Sequence, residues 1–380
     1  MGNAYTPGLT VTPRTTVRKT RRLPLKGTVL VAVGDRVAAG EVVARTELPG
    51  KVLSVNVANL IAAAADEVPE LCTRREGQAI AKGELLAQSR GLLGFFKQAV
   101  YAPVSGIVES ISKVTGQVLL REAPIPVEVS AYVNGRVVEV IAQEGVVVEA
   151  EAALVQGIFG LGGEVHAPIR VVARAPDEVL DADRITPELR GALVLGGRLL
   201  TLAGARRAAE VGVAGVVTGG FHYDDVRELL GRDLGVAITG TEKIGTTIVL
   251  TEGFGEIAMA RVTYELLASH AGCAASASGA TQIRAGVIRP EVIVALEGGA
   301  AEAAARAAAA APPAGLGLDV GAPVRGIRHP HFGKIGRVAA LPVELALMPS
   351  GSRVRVIEVD FEDGARALLP RANVEVIERR

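Results

Sequence analysis

Gly34-Asp35-Arg36-Val37-Ala38-Ala39-Gly40-Glu41-Val42-Val43-Ala44 decides how the first half of this chain is read, because it returns as Gly77-Gln78-Ala79-Ile80-Ala81-Lys82-Gly83-Glu84-Leu85-Leu86-Ala87. Each copy reads as strand, tight turn, strand. Gly34 and Gly77 supply turns where positive φ is free of cost, and Val37 and Ile80 then point inward from half-buried strands. A looser third copy spans residues 145–155, with Glu151 in place of the second Gly. A second phrase, Gly-x-Val-x-x-(Val/Ile), starts at Gly50, Gly106 and Gly135. Recurrence of both phrases marks a β architecture built by internal repetition.

A Gly-x-Val strand combined with a Gly-Asp-x-Val turn resembles the lipoyl/biotinyl carrier family, over most of residues 25–170. The resemblance implies a β barrel-sandwich module in residues 1–175. The family presents a modified lysine on an exposed hairpin between its two halves. After Val155 this chain reads Gln156-Gly157-Ile158-Phe159-Gly160-Leu161-Gly162-Gly163, without lysine, and Lys51, Lys82, Lys97 and Lys113 stand in other contexts. No covalent cofactor is therefore expected. Related modules serve as rigid connectors in membrane-fusion adaptors, polymerase subunits and an electron-transport subunit, which by analogy implies a scaffold.

The 380 residues suit two to three domains. Aromatic residues make up 3% and Trp is absent, so the cores must be built from Val, Leu, Ile and Ala. Equal numbers of basic and acidic residues, 41 each, argue against a bulk polyanion or an anionic membrane as partner. Cys72 and Cys273 form no metal or disulfide pattern. The amino terminus lacks the apolar core of a signal peptide, and the apolar stretch 300–311 is broken by Glu302 and Arg306. A soluble cytoplasmic protein is expected, with no membrane contact. Residues 1–34 hold no acid but carry Arg14, Arg18, Lys19, Arg21, Arg22 and Lys26. They read as a solvated terminus or as a docking tail for an acidic partner. Phe95 and Phe96 lie in a Gly-bounded loop that covers a barrel end or forms an interaction knob.

Residues 185–297 alternate short apolar runs with amphipathic ones, the pattern of a mostly parallel sheet covered by helices. Strands are expected at 191–197, 213–218 (ended by Gly219-Gly220), 236–239 and 246–250. Helices are expected from a Thr201 cap through Val211, over 225–230 with Asp224 as cap, and over 257–269. Thr251-Glu252-Gly253-Phe254-Gly255-Glu256 falls between a strand and a helix, where free backbone N–H groups cradle phosphates. Thr251, Gly253 and Gly255 are thus candidate ligand-binding residues, although the loop is not G-x-G-x-x-G, has no Walker lysine and carries two glutamates. His222 beside Asp224 or Asp225 is a candidate base or metal pair, or simply a helix cap. No nucleophile, base and orienting group can be assigned together from spacing.

In residues 316–380, Gly333-Lys334-Ile335-Gly336-Arg337-Val338 sits among several short β runs. This resembles the KOW motif of ribosomal proteins and elongation factors, which implies an SH3-like barrel whose motif loop touches RNA or protein. Arg325, Arg328, Lys334 and Arg337 are the residues positioned for such contact. Residues 319–380 carry ten basic against eight acidic residues, and only Phe332 and Phe361 are available for stacking, which favours protein over RNA. His329-Pro330-His331 lacks further local ligands, so no metal is expected.

The sequence reading is an α+β multidomain chain: a barrel-sandwich module, an α/β unit and a small SH3-like barrel. The expected function is a non-enzymatic scaffold or assembly protein with a protein partner. An RNA- or ribosome-associated factor and a small-molecule or nucleotide-binding α/β protein are the alternatives.

Overall fold

The computed structural model describes residues 9–90, 97–231, 240–282, 288–296, 319–326, 330–331, 333–342, 344–347 and 353–376. Arg328, the Phe95–Phe96 pair, the strand expected at 236–239 and the stretch 300–311 lie outside the described residues. Within them the chain is β-rich and built of several sheets.

The repeated phrase folds alike both times, down to single hydrogen bonds. Gly34 N donates to Val137 O at 2.8 Å, and Gly77 N to Val108 O at 2.7 Å. The Asp35 carboxylate accepts from Ala32 N, and the Gln78 amide oxygen accepts from Arg75 N, both at 2.8 Å. Glu41 and Glu84 close the second turn on Ala38 N and Ala81 N. Val37 pairs with Gly135 and Ile80 with Gly106. A Cβ at Gly135 or Gly106 would stand 2.4 or 2.1 Å from a backbone oxygen of the next strand, which explains the glycine of the second phrase. The outcome is two nested β units. The outer one is made from residues 27–48 and 125–149, with Val37, Val43, Val137, Val146 and Val148 in its core. The inner one spans residues 51–122, around Ile80, Leu86, Val108, Val118 and Leu120.

The third copy is not a repeat in structure. Residues 145–155 lie inside one continuous strand, Gly145–Gln156. With Glu151 where Gly would allow a turn, the chain stays extended, and Glu151 instead binds Arg14 and Thr16 on the neighbouring strand.

That neighbour is the basic amino-terminal segment, which forms the strand Val11–Arg22 along the whole of Gly145–Gln156. Its acidic partners belong to the same chain. Arg14 pairs with Glu151, Arg18 with Glu149, Lys19 with Glu291 and Arg21 with Glu164.

A 13-stranded sheet links the outer β unit to the following α/β region. Glu164–Val171 pairs in parallel with Leu193–Leu195, and Gly145–Gln156 pairs with Glu291–Ala295, so hydrogen bonding crosses the interval 175–185. Glu164–Val171, Leu193–Leu195, Gly215–Phe221 and Thr247–Phe254 form a parallel run. Successive residues face opposite sides. Leu193, Leu195, Val217 and Val249 meet the helix Arg261–Ser269, while Val194, Val216, Ile248 and Leu250 meet the helix Leu202–Val211. That second helix begins as expected, with the Thr201 hydroxyl accepting from Gly204 N at 2.9 Å.

Four sequence expectations shift here. The strand expected to end at Thr218 runs on to Phe221, and the one expected to end at Leu250 runs on to Phe254. Gly219 and Gly220 lie inside the strand because the chain crosses it there: their Cβ atoms would meet Ile257 O at 2.1 Å and Gly255 O at 1.9 Å. The helix expected from residue 257 starts at Arg261, and the one expected after an Asp224 cap starts at Tyr223, with His222 at its N-cap. Asp224 and Asp225 fall in the first turn, where carboxylates favour the helix dipole.

The C-terminal β unit packs Val324, Val338, Ile357, Val359, Phe361 and Leu369 in its own core. Among the described residues no helix is long and apolar enough to cross a membrane.

Candidate functional site

The carboxyl ends of parallel strands are where α/β sheets usually hold ligands. Here three successive strands bring Arg198, His222 and Glu256 together. The Glu256 carboxylate lies 3.5 Å from Arg198 Nη2 and 3.8 Å from His222 Nε2, with all three side chains about half exposed. His222 thus meets Glu256 rather than Asp224, which points into solvent and pairs with Arg227 at 3.5 Å. A carboxylate shared by a guanidinium and an imidazole can orient the ring.

Behind this cluster the candidate phosphate loop has other partners. Thr251 is buried, and its hydroxyl donates to Thr218 O. Phe254 N, Gly255 N, Ile257 N and Met259 N donate to Gly333 O, Phe221 O, Arg198 O and Pro176 O. Ala260 N donates to the buried Glu252 carboxylate at 2.9 Å. Five backbone donors of this segment are therefore engaged by the chain's own oxygens rather than left for a phosphate. Gly253 and Gly255 take φ of +136° and +113°, so both positions do require glycine. Gly253 serves close approach to another chain segment, since its Cβ would meet Gly333 O at 2.8 Å.

Gly333 belongs to the C-terminal β unit, and Arg325 of that unit completes the contact. Arg325 is 4% exposed. Its Nε donates to Glu375 at 2.6 Å, and its Nη1 donates to Thr251 O at 3.0 Å and to Glu252 O. The Glu252 carboxylate stands 3.4 Å away, and Arg289 approaches the second Glu375 oxygen at 3.7 Å. Two arginines and two glutamates thus form a neutral cluster at the joint. Arg325 is committed to this joint. Lys334 is partly exposed and pairs with Asp363 at 2.6 Å, holding that carboxyl below its usual range, while Arg337 is exposed near Gly321 O.

Sequence reasoning missed a second polar cluster around Tyr132. This residue is buried with φ +70°, a left-handed conformation rare for an aromatic residue. Arg21 lies 5.2 Å from its ring centre and Lys19 6.0 Å. Arg21 grips Glu164 through two bonds of 2.7 and 2.6 Å, and Lys19 holds Glu291. Burial first, then Glu291 and Glu164, push the Tyr132 hydroxyl pKa well up. Ser276 donates to Tyr132 O, so the neutral His166 ring, 3.0 Å from Ser276 Oγ, donates through Nδ1 and leaves Nε2 as acceptor. Burial lowers the His166 pKa. Alternation in Val17-Arg18-Lys19-Thr20-Arg21 was the available signal, since it sets Lys19 and Arg21 on the face of Val17.

Among the described residues no three His, Cys, Asp or Glu side chains stand close enough to hold a metal. No protein-family model matches the chain, and no curated protein matches its sequence.

Proposed function

We propose that this chain is a non-enzymatic scaffold that joins partners through its β units. In this reading residues 1–175 are lipoyl/biotinyl-like barrel-sandwich material put to structural use, and residues 316–380 are a KOW-type, SH3-like barrel. The observation that carries it is the Arg325 joint. The sheet edge suited to a ligand is instead engaged by the chain's own C-terminal unit, through Thr251 O, Glu252 and Phe254 N. The inner unit, with its own core, is left to meet a protein partner. The test is in-cell cross-linking of the full chain against a version in which a two-residue turn replaces residues 50–123. Loss of specific cross-linked proteins, with the remaining body still folded, is expected. Retention of every partner by the shortened chain would overturn the role given to the inner unit.

A second reading, a small-molecule α/β protein, is favoured by one observation: Arg198, His222 and Glu256 converge from three successive strand ends. Thermal shifts with nucleotides and small carboxylates, abolished by Arg198→Ala, would establish it.

A further inference from the structure

The inner β unit hangs from the rest of the molecule by two strands in one register. Val42–Leu48 pairs with Ile125–Ser130, and Val52–Asn56 pairs with Gln117–Arg121. The Leu48–Ile125 and Val52–Arg121 pairs belong to the same alignment, and Glu122 N donates to Lys51 O at 2.9 Å between them. That alignment sets Pro49 opposite Pro124. In an antiparallel ladder, hydrogen-bonded pairs recur every second residue. Counting from Lys51–Glu122, Pro49–Pro124 is a place where both strands should donate, and neither can. The next such pair, Glu47–Pro126, lacks a donor on one side as well. Pro49, Ala123 and Pro124 are all solvent-exposed, so no packing compensates at this point.

Among the described residues no other hydrogen bond or ion pair fastens the unit: those of residues 51–121 are all made within residues 50–122, Arg74–Glu84, Arg90–Glu70 and Arg121–Glu109 included. Its core residues come from the same span. Two folded bodies joined without a shared interface move relative to one another by default.

We propose that residues 51–122 form a rigid head that swings on a joint at Pro49–Gly50 and Ala123–Pro124. The two prolines delete the ladder bonds that would stiffen the ribbon. Gly50 keeps the strands together just beyond, since a Cβ there would lie 1.9 Å from Glu122 O. The motion is a bend and twist of the ribbon, with both bodies intact. This inference stands apart from the scaffold reading, because a swinging head is equally compatible with an enzyme.

The test is a pulsed-dipolar distance measurement on the full chain with Cys72 and Cys273 replaced by Ala. Spin labels go on Val114→Cys in the head, a position 89% exposed, and on Asp183→Cys in the body. Asp183→Cys with Arg170→Cys gives a within-body reference. The head-to-body distribution is expected to be broader than the reference. It is expected to narrow by about half when Pro49→Thr, Pro124→Thr and Pro126→Thr return the missing donors, a change on the scale of collective domain motion. A head-to-body distribution as narrow as the reference would overturn the proposal. Equal breadth with and without the prolines, in variants with unchanged circular dichroism, would overturn the assignment of the joint to them.

Discussion

Gly253 and Gly333 meet face to face across the joint between the C-terminal β unit and the central sheet: a Cβ on Gly253 would stand 2.8 Å from Gly333 O. The reverse substitution is worse, since a Cβ on Gly333, at φ +75°, would come within 2.5 Å of the Phe254 ring. Phe254 is itself held by Phe159 and Tyr223, at 4.8 and 5.4 Å between ring centres, and has little room to retreat. Gly333→Ala should therefore loosen the joint and cost about 1–3 kcal/mol from backbone strain and the forced shift. Faster hydrogen exchange at the Phe254 amide, which donates to Gly333 O, with the body's core amides still protected, is the expected readout. An unchanged exchange rate would mean the joint tolerates the side chain.

Arg325 answers to two carboxylates and two carbonyls, all buried. Truncating it leaves Glu252 without its cation and Glu375 with Arg289 alone, 3.7 Å away. Arg325→Ala should destabilise the protein by about 3–5 kcal/mol, the range for orphaned buried charges. Exchanging Arg325→Met together with Glu252→Gln should recover part of that loss, because one charge of each sign is removed and Glu375 keeps Arg289 as its partner. Denaturant melts of both variants decide. A single substitution costing less than about 1 kcal/mol, the range of exposed pairs, would show that water reaches the joint.

Much of the fold was legible from sequence for a simple reason: it rests on local rules. The Gly34 and Gly77 turns, the Thr201 cap and the two-residue alternation of Leu193-Val194-Leu195 each follow from one stretch of chain. What was not legible depends on distant segments. Nothing near Gly219-Gly220 shows that Ile257 and Gly255 cross above them, so these glycines read as strand ends. The loop at Gly253 was a candidate phosphate site because its N–H groups count as free until Gly333 and Phe221 are placed beside them. Arg325 read as a surface contact because its partners lie about fifty and seventy positions away. Pro49 and Pro124 are unremarkable separately and gain meaning only in register.

The two copies of the repeated phrase predict a pair of independent core truncations. Val37 is 5% exposed in the outer core and Ile80 is 3% exposed in the inner core. Val37→Ala and Ile80→Ala should each cost roughly 1–4 kcal/mol, from lost burial and the cavity left behind. With no shared neighbours, their effects should add to within about 0.5 kcal/mol. Hydrogen exchange should place the Ile80→Ala effect within residues 51–122. Strong non-additivity would mean that the two cores touch through the ribbon.

Lys334 and Arg337 test the RNA alternative. Removing both charges should leave RNA retention at background across several salt concentrations, because Arg325 is buried and Lys334 already pairs with Asp363. A filter-binding titration of the full chain measures this. Salt-sensitive binding that the double substitution weakens, with a shallower salt slope, would favour phosphate contact by the C-terminal unit.

Cys72 gives a pH test of the inner unit. Burial pushes its thiol pKa up from an ordinary 9.0 to about 11, because the thiolate would be desolvated against the inner core. The folded pKa is the higher one, so the unfolded chain gives up this proton more readily. The neutral thiol's contribution to stability is therefore complete below pH 9 and fades as the pH rises from 9 through 11. Two measurements check it. The alkylation rate of Cys72 in folded protein should reach half its maximum near pH 11. Between pH 9 and 11, stability should fall more in the native chain than in Cys72→Ala. If folded Cys72 reacts with the profile of an unburied thiol, the inner unit opens more readily than its core packing implies.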